Sequence, residues 1–280
     1  MQPTLIVNPF ASRVTEQRVR ELERRLDAVE TLLTERRGHA TELAREAQGE
    51  AVFVFGGDGV VNEVLNGLPP GKPLGIVAGG HTNVLARALG VPRDPEAAVR
   101  ERRISLGRVN GRRFGFAAGI GVDSETVREL ETMKRASDGR RRGDFEYARA
   151  VARRLLRGYR PRLEVEGLGR AALVLVSNGE VFTYAGRVPL RVSPHARFEL
   201  GLDVWALEQA GPGTGARLVA RMATGRALAG MPGALGLHDV DEIRVACDEP
   251  LPLEADGEDL GDVSDAVFEA ERDAVSILVA

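Results

Sequence analysis

The chain has 280 residues, 43% of them apolar and 28% charged, which is enough to bury one large or two medium cores. Its net charge of −3 argues against a dedicated nucleic-acid-binding protein, which would carry a basic surplus. The one cysteine, Cys247, excludes an internal disulfide, and the four histidines lie too far apart for a zinc motif. We therefore expect a globular protein without a nucleic-acid partner.

The first hundred residues alternate between predicted strands and predicted helices. The predicted strands cover residues 4–7, 29–34, 51–55 and 74–77, and the predicted helices cover 15–26, 40–47, 60–68 and 82–89. This alternation is typical of a parallel sheet with helices on both faces, in which ligands bind beyond the carboxyl ends of the strands.

The pattern changes after about Arg103. An Asn110-Gly111 pair between apolar runs predicts a tight hairpin, two predicted helices follow at 123–135 and 144–158, and a third covers 215–228. The remaining short apolar runs are separated by turns, as antiparallel strands are. We place the boundary near residues 90–104 and predict an α/β domain at 1–103 and a β-rich domain at 104–280.

The most informative string is Gly56-Gly57-Asp58-Gly59, which joins a predicted strand to a predicted helix. Glycines permit positive φ and close approach to the main chain, and a helix start presents free amides to an anion. A second glycine turn, Gly79-Gly80-His81-Thr82-Asn83, follows the next strand, and Asn8-Pro9-Phe10-Ala11-Ser12 follows the first. All three strings fall at the edge where such a sheet binds ligands.

Together these strings resemble the nucleotide-binding loops of the diacylglycerol kinase catalytic domain family, which includes bacterial lipid kinases and sphingosine kinases and is related to NAD kinases. Two strings of the second domain are similar to that family as well. They are Gly119-Ile120-Gly121-Val122-Asp123 and Asp256-Gly257-Glu258. The resemblance implies a three-layer α/β nucleotide-binding domain followed by an antiparallel β-sandwich-like domain.

The resemblance also implies a reaction, the transfer of the γ-phosphoryl group of ATP to a lipid hydroxyl. Glu258 is the implied general base, and Asp58 and Asp123 are the implied Mg²⁺ ligands, directly or through water. We expect these three acids to converge on one crevice between the domains. The residues implied to form the nucleotide site are Asn8, Gly56, Gly57, Gly59, Glu63, Gly80, His81, Thr82, Asn83 and Asp256.

Three positions depart from the family pattern. Val60 replaces a threonine after the first glycine loop, and His81 stands where serine or threonine is usual. Leu200 replaces an aspartate associated with a structural metal in some relatives, although Glu199 and Asp203 lie close by in the sequence. Val60 and His81 leave open a lipid-binding module with weakened catalysis.

A basic stretch from Lys134 to Arg162 carries eleven basic and three acidic residues. Its part from Arg140 to Arg157 predicts contact with anionic lipid headgroups at a membrane surface. No signal peptide and no run of 18 apolar residues is present, so we expect a cytoplasmic protein that associates peripherally with the inner face of the membrane. Edge strands of the second domain offer a pairing surface for a homodimer.

Other functions remain open at this point. Phosphorylation of NAD would use the same Gly-Gly-Asp-Gly loop, although Asn66-Gly67 and Asn83-Val84-Leu85-Ala86-Arg87 favour the lipid branch. Within that branch diacylglycerol, which would give phosphatidic acid, is the expected acceptor, but the sequence does not distinguish it from another lipid alcohol.

Overall fold

The computed structural model describes residues 2–121, 124, 128, 160–209, 213–226 and 228–280. They belong to two compact units. The first unit comprises the chain up to Leu106 together with Arg272–Ala280, and the second comprises Gly107–Glu271. Asp123, the basic stretch Arg140–Arg157 and almost all of the two helices predicted at 123–135 and 144–158 lie outside the described residues.

The first unit contains the predicted parallel sheet, in the strand order β2-β1-β3-β4. The α/β prediction for this part of the chain is therefore confirmed. The strands and helices, in chain order, are β1 Thr4–Val7, α1 Glu16–Leu26, β2 Glu30–Leu33, α2 His39–Glu46, β3 Val52–Gly56, α3 Asp58–Gly67, β4 Leu74–Ala78 and α4 Val84–Ala88.

Apolar side chains explain why these strands lie at the centre of the unit. Every residue of β1 and of β3 is buried, as expected for parallel strands covered on both faces. Leu5, Val7, Phe53 and Phe55 form one core with Leu22 from α1. Thr15 caps the start of helix α1, because its hydroxyl accepts a hydrogen bond from Arg18 N at 3.3 Å.

The register of the strands aligns their carboxyl ends. Val7 pairs with Phe55, and Phe55 pairs with Val77. The residues that follow these strands therefore emerge side by side at one edge of the sheet, which is the edge predicted to bind a ligand.

The last nine residues belong to the first unit, whereas the sequence predicts a second domain that covers 104–280. They end the long strand β16, Glu258–Val279, and Ile277 pairs in parallel with Leu74 of β4. Arg100 supports this return by donating from Nε to the carbonyl oxygen of Ala280 at 2.7 Å. A strand of 22 residues is long enough to contribute to both units.

The second unit is rich in antiparallel strands, as predicted, and its main sheet has the order β14-β13-β10-β7-β15-β16. Its one long described helix is α5, Thr214–Thr224. The strands beyond β4, in chain order, are β5 Arg100–Val109, β6 Arg112–Phe114, β7 Ala117–Gly121, β8 Leu163–Val165, β9 Gly169–Ala171, β10 Leu173–Ser177, β11 Val181–Ala185, β12 Val188–Arg191, β13 Leu202–Leu207, β14 Ala234–Val240, β15 Glu242–Ala255 and β16.

The predicted hairpin joins β5 to β6. Asn110 and Gly111 have φ values of 47° and 84°, the left-handed conformation that this short turn requires. Asn110 also ties the turn to β16, because its Oδ1 accepts from Val267 N at 2.9 Å. Among the described residues, no helix has the length and apolar character needed to cross a bilayer.

Candidate functional site

The two glycine turns of the first unit touch each other through their main chains. Gly57 caps the start of α3, one residue after β3 ends. A Cβ placed on Gly80 would lie 2.5 Å from Gly57 Cα, and Gly79 N donates to Gly56 O at 2.7 Å. At Gly80 only glycine permits this approach, and the main chains of the two turns therefore lie in contact.

Asn83 holds the second turn in shape. It adopts a left-handed φ of 50°, and its side chain spans the turn with two hydrogen bonds of 2.9 Å, one from Gly80 N and one to Gly80 O. Its amide group is therefore used within the loop. The two preceding side chains differ: His81 is exposed and Thr82 is half-buried.

Asp58 is the first residue of α3 and links the two turns. Its Oδ1 accepts a hydrogen bond from Leu85 N at 3.3 Å, at the start of α4. Burial raises the pKa of Asp58, while the amides of Val84, Leu85 and Asn83 act in the opposite direction. The carboxylate thus contacts the helix start, and it is the one acid among the described residues at the three turns.

Glu63 contacts α2 rather than the glycine turns. Its Oε1 accepts from Gly38 N at 2.8 Å and its Oε2 accepts from Ala40 N at 3.2 Å. These amides begin α2, where a carboxylate satisfies otherwise unpaired donors. Thr41 Oγ1 adds a hydrogen bond of 2.8 Å to Glu63 O. Glu63 therefore fixes α3 against the start of α2.

Val60 fills the interface between β3 and α3. It is 6% exposed, and a Cβ on Gly56 would come within 2.2 Å of its Cγ1. The side chain that replaces the usual threonine therefore packs inward. Gly59, in the same first turn of α3, is half-buried.

Asn8 shapes the turn after β1. Its main-chain N donates to Phe55 O at 3.0 Å, and its Oδ1 accepts from Phe10 N at 3.0 Å. This side-chain turn holds the loop beside β3 and leaves Phe10 78% exposed.

In the second unit, Asp256 binds main-chain amides. It is 8% exposed; its Oδ2 accepts from Gly115 N at 2.6 Å, and its Oδ1 accepts from Phe116 N at 3.0 Å and Ala117 N at 3.3 Å. Asn178 Nδ2 donates to Gly115 O at 3.0 Å from the other side. Asp256 thus joins the turn between β15 and β16 to the link between β6 and β7.

Glu258 opens β16, two residues after that anchor. Its Oε2 accepts from Arg112 Nη2 at 2.7 Å, and its side chain is 16% exposed. The neighbouring Asp259 is paired with Arg128, whose Nε and Nη2 donate at 2.8 and 2.9 Å. Neither arginine could be predicted as a partner from the sequence, because each lies more than 100 residues away from the acid that it contacts.

Asp203, which lies close to Leu200 in the sequence, contacts a serine and a histidine. It is 3% exposed, its Oδ2 accepts from the hydroxyl of Ser193, and its Oδ1 lies 2.6 Å from His238 Nδ1. Nowhere in the described part of the chain do three or more His, Cys, Asp or Glu side chains form a group suited to a metal ion.

Cys247 is half-buried, and burial raises the pKa of its thiol to about 11, in agreement with a packing role.

Comparisons with known proteins cover both units. The diacylglycerol kinase catalytic domain model matches residues 2–109, and the model of the YegS C-terminal NAD kinase beta sandwich-like domain matches residues 117–279. The chain is similar to a diacylglycerol kinase of Bacillus subtilis, 39% identical over 106 residues, which are 33% of this chain and 35% of that protein.

A diacylglycerol kinase of Staphylococcus epidermidis is 32% identical over 150 residues, 46% of this chain and 48% of that protein. The matched region thus spans less than half the length of either curated relative. The fold is similar throughout to a crystal structure described as a diacylglycerol kinase from Bacillus anthracis, with a TM-score of 0.71, 23% identity and coverage of 100% of this chain and 97% of that one.

Proposed function

The chain belongs to the diacylglycerol kinase family, and on this premise we propose that it transfers the γ-phosphoryl group of ATP to the hydroxyl of a lipid, diacylglycerol first among them, to give phosphatidic acid. The observation that carries the proposal is the main-chain contact between Gly57 and Gly80. It brings the two glycine turns together beside the start of α3, and phosphate groups bind at glycine turns that precede a helix through amide hydrogen bonds and the helix dipole.

The residues around these turns divide into two roles in the proposal. Gly57 and Gly59, which are half-buried, allow the phosphates to approach the main chain, and Thr82 and His81 offer side-chain donors from the second turn. Gly56 and Gly80 make room for Val60 and for the contact between the turns. Asn8 and Asn83 hold the first and third turns in shape, and Glu63 holds α3 against the start of α2, through the hydrogen bonds described above.

Glu258 is the proposed general base. As the lipid hydroxyl oxygen bonds to the γ-phosphorus, its proton passes to the Glu258 carboxylate, and the bond from the γ-phosphorus to the bridging oxygen breaks to release ADP. A carboxylate in this role contributes about 10²–10⁴-fold to the rate. The partial burial of Glu258 and its fixed partner Arg112 support the assignment, since a base must be held in place to act.

Mg²⁺, when bound, would neutralise charge on the transferred phosphoryl group. One or two protein carboxylates would be enough to hold it beside the substrate phosphates. Asp58, next to the proposed phosphate site, fits as one such carboxylate, directly or through water. Asp123 is the second proposed ligand and lies outside the described residues.

We also propose that the protein meets its lipid substrate from the cytoplasmic side of a membrane, through the basic stretch 140–157. The surplus of arginine in that stretch supports this placement, because each basic residue near an anionic surface contributes about 1 kcal/mol. A homodimer formed through edge strands stays a prediction.

The direct test incubates the purified protein with γ-labelled ATP, Mg²⁺ and mixed micelles that contain diacylglycerol, with NAD in a parallel reaction. Label that moves to the organic phase as phosphatidic acid supports the proposal. A labelled dinucleotide would favour an NAD kinase. Binding to lipid vesicles without any labelled product would favour a non-catalytic lipid-binding module.

A further inference from the structure

Three arginines lie in residues 107–114, the paired part of the β5–β6 hairpin, and their partners differ. Arg108 and Arg113 face each other in register across the hairpin, and both bind Glu271. Arg112, next to them on β6, binds Glu258. The hairpin therefore carries one arginine directed to the proposed base and two directed to a carboxylate outside the proposed chemistry.

The Arg112 pair is only partly exposed to water. Arg112 Nη2 and Glu258 Oε2 are 2.7 Å apart, and the two side chains are 38% and 16% exposed. The pair differs in this from the surface pairs of the chain, such as Arg20 and Glu16, which are 66% and 89% exposed. A charge-assisted hydrogen bond of this length restricts the orientation of the carboxylate, which is the less exposed of the two side chains.

The main chain of the Glu258 segment is anchored to the same part of the molecule. Asp256 accepts hydrogen bonds from the amides of Gly115, Phe116 and Ala117, which directly follow β6. Residues 112–117 therefore fix the proposed base twice, through its side chain and through the turn that precedes it.

We propose that Arg112 is a positioning residue for Glu258, which holds the carboxylate in the orientation that accepts the proton of the lipid hydroxyl. This inference rests on the proposed kinase function. Arg112 acts through Glu258 and touches no reacting atom in this account. A general base displaced by about 1 Å loses about 10² in rate, so the contribution of Arg112 belongs to turnover rather than to ATP binding.

The experiment compares Arg112→Ala and Arg112→Lys with Arg108→Ala, in diacylglycerol phosphorylation at saturating ATP. Arg108→Ala is the matched control, because it removes an arginine from the same hairpin while Glu271 keeps Arg113. We expect Arg112→Ala to lower kcat by about 10²-fold with the KM for ATP unchanged. We expect Arg112→Lys to retain more activity than Arg112→Ala, and Arg108→Ala to stay within about twofold of wild type.

A chemical rescue adds a second readout. Guanidinium ion at a few tens of millimolar should restore part of the kcat of Arg112→Ala and should leave the kcat of Arg108→Ala unchanged. Circular dichroism of each variant checks that it is folded.

A second comparison separates positioning from a general structural effect. On a Glu258→Gln background, Arg112→Ala should lower kcat no further, since its only route to the reaction is gone. An equal loss on both backgrounds, or equal losses in Arg112→Ala and Arg108→Ala, would overturn the positioning role. A wild-type protein that phosphorylates no lipid would overturn the proposed function itself, and this inference with it, before any variant is made.

Discussion

Gly57 and Gly80, which follow neighbouring parallel strands, lie so close that a Cβ on Gly80 would be 2.5 Å from Gly57 Cα. The reverse substitution is less crowded, because a Cβ on Gly57 would be 3.3 Å from Gly80 Cα. The contact sets the spacing of the two turns that are proposed to bind phosphate. The two glycines should therefore differ in how much a substitution by alanine disturbs the site.

Gly80→Ala should weaken ATP binding more than Gly57→Ala. Its added methyl group meets main-chain atoms that cannot move aside without separating the turns, and overpacking of this kind destabilises a protein by about 1–3 kcal/mol. Isothermal titration calorimetry with ATP, together with urea denaturation of each variant, measures both effects. Equal ATP affinity in wild type and Gly80→Ala would place the phosphates elsewhere.

Asp58→Asn should change how stability depends on pH. Because burial raises the pKa of Asp58 in the folded state, the folded chain binds this proton more tightly than the unfolded chain, whose aspartate titrates near about 3.9. The contribution of Asp58 to stability is therefore present at low pH and is lost as pH rises through the folded pKa.

The variant lacks this titration, so wild type should gain stability relative to Asp58→Asn as pH falls from 7 towards about 4. Thermal unfolding of both proteins across this range is the measurement. A difference in Tm that stays constant with pH would contradict the assignment of a raised pKa to Asp58.

Much of the first unit could be predicted from the sequence, because its signals are local. The change from strand to helix period at Gly57 and the glycines themselves identify β3, α3 and the turn between them. The contact between Gly57 and Gly80 was not predictable from spacing, since it depends on the register that pairs Gly56 with Ala78.

The roles of individual polar residues were harder to predict. Glu63, Asn83 and Asp256 were expected in the nucleotide site, and their hydrogen bonds are made to main-chain groups of the loops and of α2. A residue type does not reveal whether a carboxylate or amide group faces a ligand or a neighbouring main-chain amide, because a ligand and a main-chain amide offer the same kind of hydrogen bond.

The strand β7 is not predicted from the sequence for another reason. Its two glycines and two alanines carry little strand preference, and its position comes from pairing with β10 and β15.

Asp256→Asn should destabilise the second unit. The buried carboxylate accepts from three amides, whereas an asparagine offers one acceptor oxygen and turns N–H groups towards the remaining donors. A buried donor left unpaired costs about 1–3 kcal/mol. Urea denaturation measures the loss, with Asp248→Asn as control because its pair with Arg170 is about half exposed. Equal unfolding midpoints for the two variants would contradict a structural role for Asp256.

Glu271→Gln should lower stability at neutral pH. Hydrogen bonds from Arg113, and then Arg108, lower the pKa of Glu271 against the opposing effect of burial. The pKa of Glu271 in the folded chain lies below the value of about 4.3 expected in the unfolded chain. The stabilisation by the Glu271 carboxylate is therefore present above the unfolded pKa and is lost as pH falls through the folded pKa.

The difference in Tm between wild type and Glu271→Gln should therefore be largest at pH 6–7 and shrink below about pH 4. Glu16→Gln is the matched control, because Glu16 and its partner Arg20 are well exposed and such pairs contribute little. A Tm difference that grows as pH falls would contradict the assignment of a lowered pKa to Glu271.

The most direct test of the account is single-turnover transfer from ATP to diacylglycerol by wild type and Glu258→Gln, with Glu269→Gln, an exposed residue of the same strand, as control. We predict that Glu258→Gln slows transfer by about 10²–10⁴-fold while its Kd for ATP stays within about twofold of wild type. Transfer at the wild-type rate by Glu258→Gln would contradict the assignment of Glu258 as the base and the catalytic site built around it.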